Sequence, residues 1–74
     1  MFIELTVIAK NQEEQYSKEP YLVNINAIVF LQRNVNDDLA KESGIKSFVL
    51  IENNILLGCA EEYDLIRSGI SKSK

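Results

Sequence analysis

The chain has 74 residues, 46% of them hydrophobic, with 8 Lys plus Arg against 11 Asp plus Glu, no histidine and one cysteine, Cys59. That is enough for one small domain, and 25 Ile, Leu, Val and Phe residues exclude a disordered chain. The missing imidazoles and single thiol exclude the usual transition-metal sites. One cysteine also forbids an internal disulfide, which fits a reducing compartment.

Asp37, Asp38 and Glu42 lie close in sequence. They lack the alternating ligands and central glycine of a calcium loop, so no metal and no cofactor is expected. A net charge of −3 argues against nucleic acid, whose affinity for proteins comes from Lys and Arg at phosphates. The start carries no basic leader, and the longest apolar runs, 27–31 and 55–60, fall far short of a membrane span. A soluble, cytoplasmic protein is the expectation.

In chain order, residues 2–9 alternate Ile3, Leu5 and Val7 with Phe2, Glu4, Thr6 and Ile8 and predict a strand. Residues 10–19 are polar apart from Tyr16, and Pro20 holds Glu19 extended, so a loop of ten residues is expected. Residues 21–33 carry the strongest β signal. Thirteen residues are long for one flat strand, so a bend at Asn24-Ile25-Asn26 is expected to divide it, the Asn side chains bonding local backbone.

Residues 34–46 are polar, with a helical turn expected from Asn36 as N-cap, Asp37 and Asp38 in its first turn, Leu39 toward the core and Gly44 as its stop. Residues 48–52 and 55–59 read as a hairpin around Asn53-Asn54, a pair suited to a turn with positive φ. From Ala60 the period changes. Tyr63, Ile66 and Ile70 share a helical face, Glu61, Glu62 and Asp64 suit a helix start, and Gly69 is expected to end the helix, leaving 71–74 as a frayed tail to a domain of residues 1–70.

The segments Phe2-Ile-Glu-Leu-Thr6, Tyr21-Leu-Val-Asn24-Ile-Asn-Ala-Ile28 and Cys59-Ala-Glu61-Glu62-Tyr-Asp-Leu-Ile66 together resemble the small FlbD-like flagellar-operon (swarming motility) proteins and similar short bacterial or phage proteins. The resemblance covers about two thirds of the chain and implies a β-rich architecture; it supplies no catalytic residues. The chain departs from the pattern in its polar stretches at 10–19 and 34–46 and in Asn53-Asn54 where a turn glycine is usual.

The expected fold is mainly β, of α+β class: a strongly bent antiparallel sheet or small open barrel of four or five short strands with one short C-terminal helix. Phe30 and Phe48 are expected in the core, with Phe2 and Tyr21 packed in the core or at a strand edge, and Cys59 as a small buried hydrophobe. Without histidine to activate Cys59, and with Glu61 and Glu62 about 100° apart on a helix, no enzyme is expected.

Apolar residues on both strand faces leave surface that one short helix cannot cover, so a homo-oligomer is expected. The leading functional expectation is a binding or regulatory module acting through protein contacts, a phage-encoded inhibitor among them. Tyr16, Asp37 and Asp38, in the two acidic stretches, are candidate partner contacts. The alternative is a small-ligand protein, for a nucleotide-like metabolite, using Asn24, Asn26, Arg33 and Arg67. Single-stranded nucleic-acid binding by a small barrel is the weakest.

Overall fold

A computed structural model describes residues 1–72. Five antiparallel strands, β1 (Phe2–Lys10), β2 (Tyr16–Asn24), β3 (Ile28–Arg33), β4 (Ser47–Ile51) and β5 (Ile55–Cys59), form one open sheet in the order β2-β1-β5-β4-β3. Two helices complete it, α1 (Asp37–Ser43) and the C-terminal α2 (Tyr63–Lys72). The mainly β, α+β expectation therefore holds, with a second helix added.

The first hairpin is tighter than the composition suggested. β2 begins at Tyr16, and the expected ten-residue loop shrinks to five residues, 11–15. Asn11 makes this turn: its Oδ1 accepts from the backbone N–H of Glu13 (2.9 Å) and Gln15 (3.0 Å), and its own N–H donates to Gln15 O (2.8 Å). Polar residues 16–20 can be a strand because β2 is an edge, where side chains reach water on both faces.

The expected bend is a single 3-10 turn over Ile25–Ala27, which carries the chain from one edge strand of the sheet to the other. Asn24 Oδ1 accepts from Asn26 N–H (3.0 Å), the local bond expected of it. The hairpin around Asn53-Asn54 also forms as expected, both residues standing at positive φ, 70° and 60°.

Cross-strand register assigns the faces. Ile3, Leu5 and Val7 of β1, Val23 of β2, Val49 of β4 and Leu57 and Cys59 of β5 point the same way, and α2 lays Ile66 and Ile70 on them. Leu5, Ile66, Val49 and Cys59 are almost wholly removed from water. Helix α2 starts at Tyr63 and runs through Gly69, correcting the expected stop there. A Cβ on Gly69 would lie 2.8 Å from Ile3 Cδ1, so this glycine lets helix and strand approach closely. Ser71 and Lys72 belong to the helix; Ser73 and Lys74 lie outside the described residues.

The opposite face is covered only in part. The expected turn after β3 is the helix α1, capped by Asn36 Oδ1 accepting from Leu39 N–H (3.1 Å) and ended by Gly44 at φ 81°. Beyond it, Gly44 and Ile45 sit over Ile8 and Gly58, and a Cβ on Gly58 would lie 2.8 Å from Ile45 Cδ1. Past this lid Phe30 and Leu56 stand exposed, and Phe2 and Leu22 do so at the other end of β1. The core placement expected for Phe30 is thus overturned; Phe2, 58% exposed, is not in the core either, and Tyr21 stands on the edge strand β2 opposite Leu5. Alternation turns Phe30 and Phe2 away from α2. Phe48, nearer the lid, is half-buried.

Candidate functional site

Two surfaces stand out, a charged cleft and an uncovered apolar face. The cleft, of about 250 Å³, lies where β3 ends, β4 begins and α2 begins, and is lined by Arg33, Asn34, Lys46, Glu62, Tyr63 and Asp64 among others. Arg33 organises it. Its guanidinium lies 4.7 Å from the centre of the Tyr63 ring and donates from Nη2 to Asp64 Oδ1 at 3.2 Å. Lys46 Nζ stands 3.8 Å from Glu62 Oε1. Both ion pairs are exposed, so each contributes at most about 1 kcal/mol.

The cleft exists because β4 stays tied to its neighbours at this end. Asn34 N–H donates to Lys46 O (3.1 Å), Asn34 Nδ2 to Ile45 O (2.8 Å), and Lys46 N–H to Cys59 O (2.8 Å). Beneath it, Ser47 Oγ donates to Glu61 O at 2.7 Å. A second cleft, lined by Asp64, Arg67, Ser68 and Ser71, opens along α2.

The candidate contact residues therefore separate. Arg33 and Arg67 lie in neighbouring clefts that share Asp64. Asn24 and Asn26 sit at the other end of β3, at the turn that leads into it. No single pocket among the described residues gathers the four residues considered for a small ligand. Tyr16 is the first residue of β2, not a lone loop aromatic; it pairs with Lys10, whose Nζ lies 5.6 Å from its ring centre. Asp37 and Asp38 occupy the first turn of α1, where they favour the helix dipole.

Cys59 is buried, and burial together with the nearby Glu61 carboxylate pushes its thiol up to about 11. The thiolate, the form that reacts, is therefore disfavoured. Among the described residues no group of three or more His, Cys, Asp or Glu side chains is placed to hold a metal ion, and no helix is long and apolar enough to cross a membrane.

The apolar face is the feature sequence reasoning located least well. Leu56 is 56% exposed and Leu22 69%, and Phe30 and Phe2 lie on the same side of the sheet. The alternation of Phe2, Leu22, Phe30 and Leu56 against inward partners was the available signal. It could not say which face α2 would choose. Comparison with known proteins finds no family model, no curated protein and no solved structure that matches this chain.

Proposed function

We propose that this protein is a non-enzymatic binding module that docks another protein on the uncovered part of its second sheet face. The observation that carries the reading is the row Phe30, Leu50 and Leu56, neighbours across β3, β4 and β5, of which Phe30 and Leu56 stand exposed beyond the Gly44-Ile45 lid. Large apolar side chains grouped on one face lower the free energy when a partner removes them from water, by about 25 cal/mol per Å² of apolar area. The buried, proton-holding Cys59 supports a non-catalytic role.

The net charge of −3 suits a partner with a basic rim around an apolar pocket. An acidic inhibitor covering a nucleic-acid-binding surface of a host protein is one form of this reading.

The test is affinity capture from the source cell with the native chain and with Leu56→Glu and Phe30→Glu, followed by reconstitution from purified components. The reading expects a defined protein that binds stoichiometrically to the native chain and loses at least about tenfold in affinity with either variant. A partner retained equally by both variants overturns it.

A further inference from the structure

The two edges of the sheet are built differently. Ile25 N–H donates to Met1 O (3.0 Å), and the β1–β2 register is unbroken from there, so Val23, Tyr21 and Glu19 turn their backbone groups toward β1. Leu22 and Pro20 turn theirs outward. Pro20 thus removes one N–H from the outer edge of β2 without costing the ladder a bond, and Lys18 and Glu19 put charge beside it.

The edge of β3 has no such protection. Asn34 N–H donates to Lys46 O, so by the same alternation Gln32 and Phe30 face β4, while Leu31 and Arg33 point their N–H and C=O groups away from the sheet. Residues 28–32, Ile-Val-Phe-Leu-Gln, carry neither charge nor proline in a chain of net charge −3. Beside them Val29 is 61% and Val35 83% exposed. The one irregularity is a register shift between Ile28 and Phe30, which leaves 30–33 as regular strand.

We infer that two copies of this chain pair β3 with β3, antiparallel about a two-fold axis at Gln32, joining their sheets edge to edge. Leu31 then lies opposite the partner's Arg33 and Arg33 opposite the partner's Leu31, closing four backbone hydrogen bonds on the groups that point outward. Gln32 meets the same neutral amide, and Val29 turns toward the partner's Val35. A second copy is the occupant because residues 28–32 bring no charge to a seam that is its own complement about a two-fold axis, and each Arg33, set opposite the partner's apolar Leu31, keeps its own Asp64 as counter-ion.

This inference goes beyond the docking face, which β3 pairing leaves open at Leu50 and Leu56.

The test combines light scattering with amide hydrogen exchange on the full chain across a concentration series. The mass should rise to twice 8.4 kDa, and the amides of Leu31 and Arg33 should gain protection with concentration while those of Phe30 and Gln32 stay protected throughout. Val29→Lys, which places a cation against the partner's Val35 from an exposed position, should raise the dimer dissociation constant about tenfold or more. A mass of 8.4 kDa at every concentration up to millimolar overturns the inference. So does a dimer in which Leu31 and Arg33 exchange at the same rate at all concentrations. A partner captured equally by the native chain and by Leu56→Glu, with the dimer intact, would instead overturn the docking reading alone.

Discussion

Glu61 accepts the backbone N–H of Thr6 on its Oε1 at 2.9 Å, across 55 residues of chain. β5 has ended at Cys59, but Ala60 N–H donates to Thr6 O (2.9 Å), so the backbone of Ala60 and the side chain of Glu61 together continue the β1–β5 ladder. The same residue's carbonyl accepts from Ser47 Oγ, binding β4 to this corner. Glu61 is therefore a structural clasp where three strands and α2 meet.

Removing the carboxylate should be costly for a residue so near the surface. Glu61→Ala leaves the part-buried Thr6 N–H without its acceptor and should destabilise the fold by about 1–2 kcal/mol. Glu61→Gln keeps an acceptor and should lose less than half as much. Urea unfolding of the three proteins checks the order.

Alkaline pH should weaken the fold through Cys59. Its thiol titrates at about 11 in the folded chain against an ordinary value of 9.0, so between these values the unfolded chain has given up a proton that the folded one retains. Stability is then full below about pH 9 and declines toward pH 11, by on the order of 2 kcal/mol. Cys59→Ala should flatten this part of the pH profile, measured by denaturant midpoints, while losing some stability at neutral pH from the vacated volume.

Two glycines should respond differently to alanine. At Gly58 a Cβ would press on Ile45 from 2.8 Å at Cδ1 and 3.2 Å at Cγ1, and Ile45 is buried, so Gly58→Ala should cost about 1–3 kcal/mol. At Gly69 the only close atom is Ile3 Cδ1, the free end of a half-buried side chain, and alanine gains about 1 kcal/mol of helix propensity. Gly69→Ala should therefore leave the melting temperature nearly unchanged, and the contrast between the two variants is the check.

Turn residues at positive φ offer the opposite lever. Glu14 stands at φ 62° in the first hairpin turn, a conformation that disfavours its side chain. Glu14→Gly should stabilise the chain by about 0.5–1 kcal/mol. Asn54, at φ 60°, tolerates the left-handed region well, whereas Asn54→Val should cost about 1–2 kcal/mol because a β-branched residue does not. Thermal denaturation of both variants tests the pair.

Much of this molecule was legible in its residues. Period-two alternation marked β1, apolar runs on either side of Asn53-Asn54 marked β4, β5 and their tight turn, and the change to helical period at residue 60 marked α2, because those signals are local and strong. The apolar excess on both strand faces was equally plain. Asn11 carried a turn signal, but its two bonds form only when residues 13 and 15 fold back on it, so the β1–β2 loop read as longer than it is. Gly69 resembled a helix stop because glycine often is one. Its other role, allowing Ile3 to approach, depends on a strand 66 residues away in the chain.

Which face α2 covers, and therefore that Phe30 and Leu56 are left to solvent while Leu31 and Leu57 are drawn in, was decided only by tertiary structure. Alternation divides a strand into two faces but gives them equal standing. The choice falls to how the connections pack: α2, three residues after β5, lays Ile66 on one face, and Ile45, at the end of the 34–46 segment, lies over Gly58 on the other. Local sequence set the period of each element, and chain connectivity set which apolar surface was left uncovered.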